Sequence, residues 1–333
     1  MKKIGLMFVL GFALLLAACG NMSEDDVIAK LTANLRDATS YMATGTMTLE
    51  SDGQRYEYAI EVAFQSEGFY KVIMRNETTN NEQIILRNDE GVFVLTPSLN
   101  KKFKFQSDWP LSSSQIYLYE SLLSDIINDE SRVFTAGEES YVFETTANYH
   151  GNSDLVSQVV QFDSSTLTPI SAEVKDSTGT VRMSMNFTHF EFNTEMAEGF
   201  FDSEATMEQT HNTWANVETI DLGETEWLPT FLPEGTDLIS RTSIDLADGQ
   251  RIIMTWGGEQ SFTLIQEAVN VSDEWVISQV TGVPVFVNGV VGSLGDNTLT
   301  WIRDGVEFFL VSDNLDSDDM VAVASSISTE YVK

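Results

Sequence analysis

The sequence predicts an α+β protein: a strongly curved antiparallel sheet with helices against its concave face, followed by a smaller α+β unit. Three observations carry this prediction. From Tyr41 to Phe105, apolar residues recur at every second position in short runs separated by turn signals. The segment from Ile116 to Ile127 then shows one broad apolar helical face before alternation resumes at Tyr141. After a polar, acidic stretch at 203–226, a second group of strands ends in a capped helix.

The N-terminus obeys different rules. Met1-Lys2-Lys3 is basic, and Ile4 to Ala18 is apolar or glycine throughout. That run falls short of the roughly 20 apolar residues that cross a bilayer and fits a secretory signal peptide. Its end reads Leu16-Ala17-Ala18-Cys19-Gly20, a lipobox: small residues enter a narrow peptidase groove, and the Cys19 thiol is the nucleophile for lipid transfer. The chain has one cysteine, placed where this motif requires it, so no disulfide can form within the chain. The expectation is a cleaved signal peptide at 1–18 and a lipidated N-terminus at 19–22. Acyl chains, palmitate among them, on Cys19 would hold the mature protein on the outer face of the cytoplasmic membrane.

Composition sets further bounds. With 42% hydrophobic and 21% charged residues the chain is globular. Its 51 acidic against 18 basic residues give −33, and loss of Lys2 and Lys3 takes this to −35. Such a surface repels phosphate backbones, which excludes nucleic acid as a partner. It also makes the anchored body stand off an anionic membrane.

The elements follow in order. Ser23 to Asp26 reads as a helix N-cap with acid three places on, and Val27, Leu31 and Leu35 continue at helical spacing. Alternating strands are expected at 44–50, 56–64, 69–74, 83–87, 92–96 and 101–105. A helix with Ile116, Tyr119, Leu122, Leu123, Ile126 and Ile127 on its apolar face comes next, with cap candidates at Ser112 to Ser114. Strands return at 141–146, 156–163, 169–175 and 181–192, which closes a first domain at 23–202. Residues 203–226 read as a linker, and 227–333 as a small α+β domain whose last helix is capped by Asp316 or Ser317.

Several of these segments have a familiar form. Phe69-Tyr70-Lys71-Val72-Ile73-Met74-Arg75, then Gln83 to Arg87, then Gly91 to Pro97 resembles the LolA-like lipoprotein carriers. Continued by Phe103 to Pro110, the stretch is most similar to the YdcC- and GerS-type sporulation-associated lipoproteins of Gram-positive bacteria. The resemblance covers about residues 23–200. Leu232-Pro233-Glu234-Gly235 and Trp301 to Gly305 resemble a small C-terminal domain of unassigned function. The resemblance implies an unclosed β-barrel, lidded by helices, around an apolar cavity that takes acyl chains. Ile116, Tyr119, Leu122, Leu123 and Ile126 would then line that cavity; the plainer reading of the same face is that it fills a dry core.

Catalytic chemistry has little support. His150, His189 and His211 are far apart, and none has a second histidine or cysteine at ligand spacing, so neither a metal nor another cofactor is expected. No G-x-S-x-G elbow or phosphate-binding glycine loop is present. His150-Gly151-Asn152-Ser153-Asp154 reads as a mobile turn, and Asp313 to Asp319, without the glycine and closing Glu of a calcium loop, as a helix cap. Lys101, Lys102 and Lys104 form the one basic cluster, beside Phe103 and Phe105; it reads as a solvated hairpin tip and is the place to look for a partner. The sequence therefore points to a non-enzymatic, lipid-anchored binding protein of the cell envelope or of sporulation. It would hold an acyl chain or an apolar partner segment. The alternative is an adaptor that binds protein alone, for example a cell-wall hydrolase, with its barrel filled by its own side chains.

Overall fold

The computed structural model describes residues 22–51, 53–79, 81–106, 109, 114–211, 222, 225–246, 249–269 and 275–331. Cys19 and the lipobox residues Leu16, Ala17 and Ala18 lie outside these, as do Ser112 and Ser113.

Helix α1 (Glu24–Asp37) opens the fold; the Ser23 side chain accepts from the Asp26 amide, and three acids sit in the first turn, where the helix dipole favours them. A meander follows: β1 (Ser40–Ser51), β2 (Gln54–Gln65), β3 (Phe69–Asn76), β4 (Glu82–Asn88), β5 (Gly91–Thr96) and β6 (Lys101–Gln106). Helix α2 (Tyr119–Asn128) leads into a second meander, β7 (Val133–Ala136), β8 (Ser140–Thr146), β9 (Leu155–Asp163), β10 (Pro169–Asp176) and β11 (Val181–Phe192). The meanders join where β1 pairs antiparallel with β11. At that seam Gly45 marks a bulge; a Cβ there would collide with the Asn186 carbonyl, so a glycine is required.

Helices α1 and α2 pack together on one face of this sheet, over Tyr41, Met47, Val62, Val72 and Phe162. Helix α3 (Ser203–His211) covers the opposite face, where Met207 meets Ile84, Leu86, Phe93 and Leu95. Strands β4 and β5 are thus buried on both sides, so their apolar residues run continuously instead of alternating. Residues 203–211, expected from the sequence to be part of a linker, are helical. Their periodicity is weak, and tertiary contacts with β5 and the Pro97–Leu99 turn hold them.

The rest of the chain comprises β12 (Thr225–Pro229), β13 (Asp237–Leu246), β14 (Gly249–Gly257), β15 (Phe262–Ala268), β16 (Val276–Thr281), β17 (Val283–Val287), β18 (Val290–Leu294), β19 (Thr298–Arg303), β20 (Val306–Val311), α4 (Ser317–Ser325) and β21 (Ile327–Tyr331). Seven strands form one sheet in the order β13-β14-β15-β20-β19-β18-β17, and β12 pairs with β21. Its core stacks Trp301 on Phe308, with ring centroids 5.0 Å apart, and buries Met320, Val323 and Ala324 of α4. Asp316 caps that helix by accepting from the Asp319 amide, as the sequence suggested.

Strand β16 leaves this unit and pairs parallel with β6, completing a twelve-stranded sheet ordered β16-β6-β5-β4-β3-β2-β1-β11-β10-β9-β8-β7. The first and last strands do not meet, so the fold is α+β with a large, unclosed, barrel-like sheet. Among the described residues, no helix is long and apolar enough to cross a membrane.

Candidate functional site

The site forms where the β17–β18 hairpin and α4 approach the large sheet. Asn288 and Gly289 turn the hairpin, both with positive φ (49° and 80°), as an Asn-Gly two-residue turn requires. Its tip is fixed by side chains of β2: Tyr56 Oη donates to Asn288 Oδ1 at 2.7 Å, and Tyr58 Oη donates to the Gly289 carbonyl. Gln83 of β4 adds two bonds to Val291: its Oε1 accepts from the amide at 2.7 Å, and its Nε2 donates to the carbonyl at 3.2 Å.

On one side of the hairpin lies a cavity of about 500 Å³, within the usual size range of ligand sites. Trp109, Ile116, Tyr117 and Met183 from the large sheet and its adjoining segment face Phe286, Val291 and Val321 across it. Arg182, Asp154, Asp318 and Asp319 supply polar groups. Gly151, at φ +70°, brings the 150–154 turn against α4; a Cβ there would lie 2.6 Å from Val321 Cγ2. The Ser153 amide donates to Asp318, and Asp154 accepts from Ser177, so this turn is tied down, not the mobile one expected. On the other side of the hairpin a second cavity of about 440 Å³ is lined by Arg55, Tyr56, Asn76, Glu82 and Arg303.

Of the five residues predicted to line a cavity, Ile116 borders the larger of these two and the other four border neither; Ile116 precedes α2 instead of lying on it. Tyr119, Leu122, Leu123 and Ile126 are buried in the packed core. Tyr119 meets Tyr41, Phe162, Phe190 and Phe192 with centroid separations of 5.4–6.3 Å. Aromatic side chains therefore occupy the space beneath α2. Two acids of that helix share this interior. Burial pushes Glu120 up to about 7, although Tyr41 Oη donates to its Oε2 at 2.7 Å; Oε1 is buried with no hydrogen bond. Burial likewise raises Asp125 to about 6, against a bond from Gln158 Nε2.

Lys101, Lys102, Phe103 and Lys104 do not form a solvated tip. They make up β6, and the partner found there is the chain's own β16. Phe103 and Phe105 enter the core on one face. On the other, Lys102 donates to Ser203 of α3 and, with Lys104, lies over the Phe93 ring (4.7 and 5.3 Å). Lys101 pairs with Glu307 of β20 at 2.6 Å, with side chains only 14% and 13% exposed. Removing one partner leaves a charge largely desolvated. Lys101→Met is thus expected to lower stability by about 2 kcal/mol in urea unfolding, with partial recovery when Glu307→Gln is added.

Among the described residues no cluster of histidine, cysteine and acid could hold a metal. His150 borders the larger cavity, while His189 is exposed, 3.6 Å from Glu191. The side chain of His211 lies outside the described residues. The β17–β18 hairpin, which builds one wall of both cavities, is absent from the elements expected from sequence. Asn288-Gly289 between two valine-rich runs is the signal that could have found it.

The family model "Sporulation protein YdcC-like" matches residues 1–201. The sporulation protein YdcC of Bacillus subtilis (strain 168) is 39% identical over 338 residues, covering the whole of both chains. Among solved structures, the Pseudomonas aeruginosa MucA/MucB complex aligns with a TM-score of 0.34 and 16% identity over 92% of this chain and 100% of that one. The LolA superfamily protein NE2245 from Nitrosomonas europaea aligns at 0.32 and 11% over 55% and 99%. Likenesses of that strength assign no residue of the site. The sequence match over the full length does assign the family that the strand motifs of residues 69–110 pointed to: the chain belongs to the sporulation protein YdcC-like family.

Proposed function

We propose that this protein is a non-enzymatic binding protein of sporulating cells, held on the outer face of the cytoplasmic membrane by lipid on Cys19. In this reading it takes an acyl chain, or an apolar segment of an envelope protein, in the cavity between the β17–β18 hairpin and the large sheet. The cavity itself carries the proposal: about 500 Å³, with Trp109, Ile116, Phe286 and Val321 on its walls and polar groups around them. The interior under α2 is packed with the protein's own side chains, which supports reading the ligand site here and not in the place the resemblance implied.

The test is mass spectrometry of lipid extracted from the chain lacking residues 1–22 after incubation with host membranes. A stoichiometric lipid is expected, and Ala322→Trp, an exposed position on the cavity wall, should lower occupancy by about tenfold. A folded protein that carries no lipid would sink the acyl-chain reading. It would leave the adaptor, which binds protein alone and which the filled interior under α2 favours.

A further inference from the structure

The seven-stranded sheet ends at β13, and no strand among the described residues pairs with its outer edge. All ten of its residues are exposed, including Leu238 (47%), Ile239 (68%), Ile244 (40%) and Leu246 (36%). Natural edge strands are normally blunted by brevity, lysine, proline or a bulge. This one is ten residues long and contains neither lysine nor proline. Its bulge falls at Leu238–Ser240, which leaves Ser240 to Leu246 in regular register against β14.

That regular run is self-complementary in one register. Two copies related by a two-fold normal to the sheet pair antiparallel, and each face stays on its own side, so the axis must pass through a residue. With the axis at Ser243, Arg241 of each copy stands opposite Asp245 of the other, Thr242 opposite Ile244, and Ser240 opposite Leu246. The two Ile244 side chains then become diagonal neighbours across the axis. An axis at Arg241 would instead set Asp237 against Asp245 twice and arginine against arginine. An axis at Thr242 or Ile244 aligns no opposite charges within the strand.

We propose that β13 is a homodimerisation edge, pairing two copies through Ser240–Leu246 about Ser243 and fusing their seven-stranded sheets into one. This is independent of what occupies the cavity.

The test is the mass of the full lipidated chain in detergent, followed by light scattering across the micromolar range. A dimer is expected. Arg241→Asp alone and Asp245→Arg alone should each weaken it by about tenfold or more. An equimolar mixture of the two variants should restore dimers, because the acids of one variant then stand opposite the arginines of the other at both positions. The double variant Arg241→Asp/Asp245→Arg should restore them as well. Both positions are exposed, so far-ultraviolet circular dichroism that matches the wild type is expected as the folding control. A monomeric wild type would overturn the proposal, as would a dimer indifferent to both single changes, or single variants whose mixture does not recover association.

Discussion

Tyr119→Ala is expected to lower the stability of the folded chain by about 3–5 kcal/mol, the range for truncating a buried aromatic side chain. The ring is fully enclosed, touches four other aromatics and projects from the first turn of α2 into the centre of the curved sheet. The change removes apolar burial and leaves a void that neighbours anchored on β1, β9 and β11 cannot collapse to fill. Urea unfolding of wild type and variant under the same conditions measures the loss. The result also separates two descriptions of this face. If α2 lined an open acyl-chain cavity, truncation would enlarge existing space and cost well under about 2 kcal/mol. A packed core gives the large value.

The second large effect depends on pH. Glu120 sits in the same interior, and burial raises its carboxyl from 4.5 to about 7. Between those two values the folded state holds a proton that the unfolded state has lost. Stability from this group is therefore complete below about pH 4.5 and is lost as pH rises to 7, by linkage roughly 3 kcal/mol in all. Glu120→Gln keeps an oxygen able to accept from Tyr41 and removes the titration. The variant should match wild type at about pH 4.5 and be more stable at about pH 8, as read from unfolding midpoints across that range. Asp125, raised to about 6 by burial, acts in the same direction and gives both proteins a residual downward slope. Asp163 acts in the opposite direction: hydrogen bonds from Ser165 and Thr166 hold it down at about 2, so its contribution is lost only at strongly acid pH. That contribution cancels in the comparison. Equal stability of variant and wild type at the alkaline end would show that Glu120 is well solvated.

The strands of both meanders are legible in the sequence because each half-buried strand alternates and each turn carries its own chemistry. Asp163 and Asp176, for example, accept from backbone amides two to four residues ahead. The apolar face of α2 is legible too, but its environment is not. A helical stripe of leucine and isoleucine has the same sequence whether it meets a ligand or Phe162 and Phe190. Ile116 fits the helical spacing by coincidence; it lies in a turn before the helix and reaches the site for that reason. Strand β16 gives little signal because it lies at the sheet edge, with Val276 and Ile277 exposed and its partner far away in the chain. The lysines of β6 mislead most directly. Charge suggests exposure, whereas Lys102, like Lys71 of β3, lies buried beneath α3, the two amines satisfied by Ser203 and Thr206 and by aromatic faces.

The parallel pairing of β16 with β6 also imposes an order of events on a chain that is made from its N-terminus. The strand on one side of β6, β5, is available once residue 106 has emerged, but the strand on its other side lies in the final fifth of the sequence. Until then the edge bearing Phe103 and Phe105 has unpaired amides and carbonyls and is open to any passing strand. Closing it also closes a long loop, which is slow because the entropy of closure must be spent before the contacts form. During the interval between these two steps the chain is exposed to aggregation through this edge. The lysines at 101, 102 and 104 place positive charge along the open edge at that stage, which discourages pairing between two nascent chains.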